Sequence, residues 1–174
     1  MVNSESEIWD HISNAKLLAV LREVGVPILV SGKIAERFHG CESVATSHEL
    51  ELILKPDKIS AAIFAKSLGS FLRDFGLRGG KVEDTTKLST PGFRFKPLPN
   101  SNGIDILVAE NIEVFDKMLS RSSTADLDGL LLPVICLEDI YYLKQDYAVY
   151  WLGKHQKHLS DLLRLKEKLA TQTG

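Results

Sequence analysis

The chain has two cysteines, Cys41 and Cys136, far apart and without a CxxC spacing. That scarcity argues against a disulfide framework or a zinc site and fits buried, reduced thiols in a cytosolic protein. No apolar run approaches the length of a membrane span. The first residues, Met1-Val2-Asn3-Ser4-Glu5-Ser6-Glu7, are polar and acidic where a signal peptide would be basic and then apolar, so the expected location is the cytosol. Neither sign of charge dominates, the net charge being −2. No global basic field draws the chain to nucleic acid or an anionic membrane, and a polyanion would have to be met locally. Internal repeats and low-complexity tracts are absent from the sequence as well. What is present, 174 residues with 44% hydrophobic and 25% charged composition, is enough for one domain with a core that needs no staples.

The order of elements reads as α/β. Ser4 to Glu7 has the form of a capping box, and Ile8, Trp9, Ile12, Leu17, Leu18 and Leu21 recur at helical intervals, which predicts a first helix to about Arg22. Gly25-Val26-Pro27 breaks it. Ile28-Leu29-Val30 then reads as a buried strand ended by Gly32, and Lys33 to His39 as a short helix closed by Gly40. An acidic strand follows, Ser47 to Leu54. Pro56-Asp57 opens a long helix with a stripe from Ile59 to Phe75, ended by Gly76. Lys81 to Leu88 and Phe93 to Lys96 are expected to pair as a hairpin, and Ile104 to Val108 forms the next strand. Beyond it come a helix over Ile112 to Leu119 and an apolar segment, Leu130 to Ile135, whose Pro133 suggests an edge or terminal strand. Two helices close the chain, about Leu137 to Trp151 and Lys154 to Ala170. The expected division is a single domain over 1–174, with a core to 136 and C-terminal helices from 137.

Within this order, Glu49 and Glu51 stand one residue apart on a strand, which can place both on one face, while Leu50, Leu52 and Leu54 take the other. Asp105 adds a carboxylate on a later strand. Three such groups repel one another unless a cation lies between them. Magnesium takes oxygen ligands and shares its shell with water and substrate phosphates, so Glu49, Glu51 and Asp105 are the candidate metal ligands. Ser31-Gly32-Lys33 is the matching phosphate cradle, where a glycine lets backbone amides approach and Lys33 adds a point charge.

The motifs taken in order resemble the nucleotidyltransferase superfold, in particular small proteins related to the minimal nucleotidyltransferases, AbiEii-like toxins and aminoglycoside nucleotidyltransferases. That family has an apolar strand ending in Gly-Gly or Gly-Ser, a short helix ending near His-Gly, a Thr-x-Asp-x-Asp strand and a later strand with a third Asp. The matching segments here are Val30-Ser31-Gly32-Lys33, His39-Gly40, Ser47-His48-Glu49-Leu50-Glu51 and Gly103-Ile104-Asp105-Ile106-Leu107. Leu137-Glu138-Asp139-Ile140 to Lys144, then Lys157-His158-Leu159-Ser160-Asp161-Leu162, are similar to its closing helices. The resemblance implies a mixed sheet flanked by helices with a C-terminal helical pair. It implies transfer of a nucleoside monophosphate from an NTP to an acceptor hydroxyl or phosphate. Glu49, Glu51 and Asp105 would hold Mg²⁺, Asp105 would help deprotonate the acceptor, Ser31, Gly32 and Lys33 would hold phosphates, and Lys144 would approach the triphosphate. The partners implied are an NTP and an acceptor of unread identity.

The chain departs from that pattern at definite positions. Lys33 replaces the second small residue of the turn, both strand aspartates are glutamates, no basic residue precedes them near Ala45, and His158 replaces the first closing Asp. A glutamate is one methylene longer, and a misplacement of about 1 Å can cost about a hundredfold in rate. A second expectation therefore stands beside the first: an inactive binding or interaction module, or the same cleft recruited to another small-molecule reaction. Simpler roles also stand for single residues. Glu49 and Glu51 can be solvated strand residues, Asp105 a turn cap, Lys33 and Lys144 exposed helix lysines, and His39 and His48 structural histidines. Lys154, His155, Lys157 and His158 form a local basic group, and Phe93-Arg94-Phe95 either stacks a base or fills the core.

Overall fold

The computed structural model describes residues 19, 22, 23, 25, 27–41, 50–57, 81–84, 92–96, 104–127, 130–150 and 156–172. The helices expected over Ser4 to Arg22 and Pro56 to Phe75 lie outside the described residues for the most part, as do Glu49 and His48. In chain order the elements are β1 (Ile28–Ser31), α1 (Gly32–Phe38), β2 (Leu50–Leu54), β3 (Lys81–Asp84), β4 (Gly92–Lys96), β5 (Ile104–Val108), α2 (Ile112–Ser120), β6 (Ser123–Leu127), β7 (Leu130–Val134), α3 (Leu137–Tyr150) and α4 (Gln156–Gln172). Among the described residues the strands form one seven-stranded sheet in the order β3-β4-β5-β2-β1-β7-β6. It is mixed: β1 is antiparallel to β2 and parallel to β7, whereas β2 is parallel to β5. The architecture is the α/β sheet with a closing helical pair that the sequence pattern implies.

Strands β1 and β2 lie at the centre, and their apolar residues on both faces are buried: Ile28, Leu29, Val30, Leu50, Leu52, Ile53 and Leu54. A strand covered on two sides reads as a continuous apolar run and not as an alternation. Ser31 and Glu51 are polar positions set into that run, opposite one another in register. The expected hairpin forms between β3 and β4, with Val82 opposite Phe95, and β4 continues the sheet beside β5.

The short helix α1 ends as its His-Gly sequence requires. Gly40 takes φ +69°, the Cys41 amide donates to the Glu36 carbonyl at 2.8 Å and the Gly40 amide to the Arg37 carbonyl at 2.9 Å. Those two bonds around a left-handed glycine make a Schellman motif. His39 is structural: one ring nitrogen donates to the Ile135 carbonyl at 2.8 Å, pinning the end of α1 to the end of β7. On α2, the Asn111 side chain caps the Val114 amide at 2.9 Å.

The expectation that Leu130 to Ile135 is an edge or terminal strand is corrected. β7 lies inside the sheet, and the edge belongs to β6, which the sequence pattern passes over. Pro133 is tolerated because of where its missing donor points. The Ile135 amide donates to the Val30 carbonyl, and alternation along a strand directs residue 133 to the same neighbour. On that side the ladder to β1 is registered only at Val30 and Val134, whereas β6 pairs with β7 over its whole length. β6 lacks a strong apolar pattern because Ser123, Thr124 and Asp126 are exposed at the edge. Its signal was the Asp128-Gly129 pair between Leu127 and Leu130, a common hairpin dipeptide.

The C-terminal helices α3 and α4 pack on each other, with Leu137, Ile140, Leu143 and Leu165 buried. α1 lies against α3, which brings the turn after β1 next to the closing pair.

Candidate functional site

Ser31 ends β1 in extended conformation and stands at the N-cap of α1, yet its side chain makes no capping bond. Its hydroxyl donates to Glu51 Oε1 at 2.8 Å instead. Gly32 follows with φ +64°, and a Cβ there would stand 2.9 Å from Glu51 Cβ and 3.1 Å from Oε2. Glycine is required twice over at this turn, for the left-handed backbone and for the close approach of the Glu51 side chain. Across the sheet, Ser31, Glu51, Asp105, Arg94 and Glu83 occupy one row on β1, β2, β5, β4 and β3. Neighbouring strands are about 4.8 Å apart, so Glu51 and Asp105 sit on adjacent backbones.

Lys33, the next residue, joins a second group. Its ammonium lies 2.7 Å from Asp161 Oδ2 and 3.1 Å from Glu36 Oε2. Lys144 of α3 reaches Glu36 Oε1 at 2.8 Å and Asp161 Oδ2 at 3.2 Å. Arg164 of α4 reaches Asp161 Oδ1 at 2.7 Å and Glu36 Oε2 at 3.2 Å. Each carboxylate thus meets all three cations, and the cluster carries one more positive charge than negative. Glu36 is completely buried and Asp161 nearly so. Lys33 is buried rather than solvating a short helix, and the Lys144 side chain is 13% exposed. Lys144 and Glu36 Oε1 form an ion pair, and among the described residues Arg164 Nε is buried without a hydrogen-bond partner.

Burial alone would push the Lys144 ammonium down, but Glu36, Asp161 and Glu51 together raise it above its ordinary 10.5. Burial likewise opposes ionisation of Asp161, yet Lys33 and Lys144 hold its carboxyl down at about 2, below the ordinary 3.8. The cluster adjoins the turn through Lys33, which follows Gly32 directly and shares Asp161 Oδ2 with Lys144.

The fold brings together Ser31, Gly32, Glu51 and the Asp105 position in one row, and Lys33 with Lys144 in the other group. Glu49 lies outside the described residues, and Asp105 is placed by its backbone register. Among the described residues no group of three or more His, Cys, Asp or Glu side chains is gathered for a metal ion, and no helix is long and apolar enough to cross a membrane. Glu36 and Arg164 escaped the sequence reading. Their signal was spacing, since Glu36 stands three residues after Lys33 and Arg164 three after Asp161, each an oppositely charged pair on one helical face.

No protein-family model matches the chain, and no curated protein does. Solved structures match over most of its length. The antibiotic-resistance factor ANT(2'')-Ia is similar at TM-score 0.62 and 16% identity, over 93% of this chain and 85% of that one. The lincosamide antibiotic adenylyltransferase LnuA, solved with lincomycin, is similar at TM-score 0.55 and 15% identity, over 89% of this chain and 95% of that one. An antigenic nucleotidyltransferase-like protein from Paracoccidioides brasiliensis is similar at TM-score 0.50 and 14% identity, over 94% of this chain and 77% of that one. The chain has the nucleotidyltransferase fold.

Proposed function

We propose that the protein is a nucleotidyltransferase that moves a nucleoside monophosphate from an NTP to an acceptor hydroxyl or phosphate. The observation that carries this reading is the closure of the Ser31-Gly32 turn onto Glu51, with Asp105 beside Glu51 in register. Carboxylates on neighbouring central strands, next to a turn held open by glycine, are a hard-oxygen donor set that suits Mg²⁺. Glu49, Glu51 and Asp105 would hold the ion, which when bound offsets phosphate charge and favours attack at the α-phosphorus. Ser31 orients the Glu51 carboxylate through its hydroxyl. Gly32 lets the chain turn tightly beside that carboxylate. Lys33 and Lys144 supply positive charge for the β- and γ-phosphates, and Asp105 accepts the proton of the acceptor hydroxyl. A second structure of ANT(2'')-Ia holds adenylyl-2''-tobramycin, and with the lincosamide adenylyltransferase it supports a small hydroxylated acceptor here.

The test is calorimetric titration of Mg²⁺ with each NTP into the wild-type protein and into a Glu49→Ala/Glu51→Ala variant. Metal-dependent binding lost in the variant supports the reading; no binding at millimolar nucleotide overturns it.

A second reading is a binding module without catalysis. It is favoured by the pairing of Lys33 and Lys144 with Glu36 and Asp161, which already occupies both lysines. Nucleotide binding without pyrophosphate release, across a panel of hydroxylated acceptors, would select it.

A further inference from the structure

Three consecutive residues join two systems that lie far apart in sequence. Ser31 and Gly32 close on Glu51, and Lys33 enters the ion cluster of α1, α3 and α4. Glu36 is the hub of that cluster. It is wholly buried one turn along α1 from Lys33, and its two oxygens meet Lys33, Lys144 and Arg164. Asp161 meets the same three cations from α4. A free lysine side chain samples many rotamers and loses that freedom when it binds. A lysine already clasped by two buried carboxylates has lost it beforehand.

We infer that Glu36 and Asp161 are positioning residues, which fix the ammonium groups of Lys33 and Lys144 beside the Ser31-Gly32 turn and Glu51 before a triphosphate arrives. This rests on the nucleotidyltransferase reading and adds to it the two carboxylates that act through the lysines. The charge balance fits the role. Two carboxylates hold three cations in place without cancelling them, so one positive charge remains for an incoming anion. The placement fits it too, since Lys33 follows Gly32 directly and Lys144 shares Asp161 Oδ2 with it. In this arrangement α3 and α4 complete the phosphate side of a site whose acids come from the sheet. Arg164 of α4, paired with both carboxylates, helps hold the clasp.

The experiment is a double-mutant cycle on Glu36→Gln and Lys144→Met, titrated with Mg²⁺ and each of ATP, GTP, CTP and UTP, and with the matching nucleoside monophosphates. Glu36→Gln is expected to weaken the best NTP by about tenfold, and the monophosphate by less than about threefold. In the Lys144→Met background the same change is expected to weaken the NTP by less than about fivefold, because one of the two lysines through which Glu36 acts is gone and only Lys33 remains. Additive losses, or equal losses for triphosphate and monophosphate, would show a merely structural carboxylate and overturn the inference. Asp161→Asn, run in the same cycle, carries the test if Glu36→Gln fails to fold. A wild-type protein that binds no nucleotide overturns the functional reading and the inference together, whereas wild-type binding with additive losses overturns the inference alone.

Discussion

Gly32 and Glu51 are in contact so close that a Cβ on residue 32 would stand 2.9 Å from the Cβ of Glu51. Both ends of that contact are rigid: the glycine is at φ +64°, and the Glu51 Cβ is fixed to the central strand β2. Gly32→Ala therefore adds a left-handed alanine, about 1–2 kcal/mol, to a clash that no far side-chain end can relieve. The expected outcome is a loss of at least about 2 kcal/mol in urea unfolding, with displacement of the Glu51 carboxylate and loss of Mg·NTP binding.

The ion cluster predicts an order of stabilities. Glu36→Gln leaves three cations on one carboxylate, and breaking a buried ion pair in this way costs about 3–5 kcal/mol. Lys33→Met leaves two cations on two carboxylates and replaces a buried ammonium with an apolar group of similar length, for a loss below about 2 kcal/mol. Denaturant unfolding of the two variants checks the order, and equal losses would mean that net charge does not govern the cluster.

Asp161 sets part of the acid limb. Its carboxyl is held down at about 2 in the folded chain against an ordinary 3.8. A group depressed on folding stabilises fully above its unfolded value and loses that contribution as pH falls through the folded one. The Asp161 contribution is thus present above about pH 4 and disappears towards pH 2. Melting temperatures from pH 6 to pH 2 should fall less steeply for Asp161→Asn than for the wild type, from a lower starting value.

Lys144 governs the alkaline side with the opposite sign. Its ammonium is raised above 10.5 despite burial, so its contribution is complete below 10.5 and fades as pH rises through the higher folded value. Lys144→Met should remove a steepening of stability loss above that pH, read from thermal melts in alkaline buffers.

Cys136 is predicted to be unreactive in the folded protein. Burial first, and Asp139 and Glu138 nearby, push its thiol up to about 12, and Sγ donates to Asp139 Oδ2 at 3.1 Å. The thiolate is the reactive form. Iodoacetamide at pH 8 should leave Cys136 unmodified in the native protein and alkylate it after denaturation, as read by mass spectrometry of the peptide.

Local patterns in the sequence carried much of the architecture, because burial and turn geometry are written in neighbouring residues. The run from Ile28 to Val30, the glycines at 32 and 40, the apolar Leu50 to Leu54 segment and the hairpin before Asp105 each mark their element by nearby chemistry. So do the leucines of α4. The strand positions of Glu51 and Asp105 were legible for the same reason, as polar residues inside apolar strands.

What needed the third dimension was partnership. Lys33 and Asp161 are 128 residues apart, and nothing near either one says that they meet at 2.7 Å. Alone, each reads as a solvated charge, since desolvating a lone ion is unfavourable. Only packing α1 against the closing helices supplies the opposite charges that make their burial tolerable. The same holds for β7, where Pro133 suggested an edge until the register showed which neighbour lacks its donor. Sequence by itself determined most of the described elements and the strand positions of Glu51 and Asp105; tertiary structure decided the places of β6 and β7 in the sheet and which charges share one buried cluster, because those depend on surfaces brought together from opposite ends of the chain.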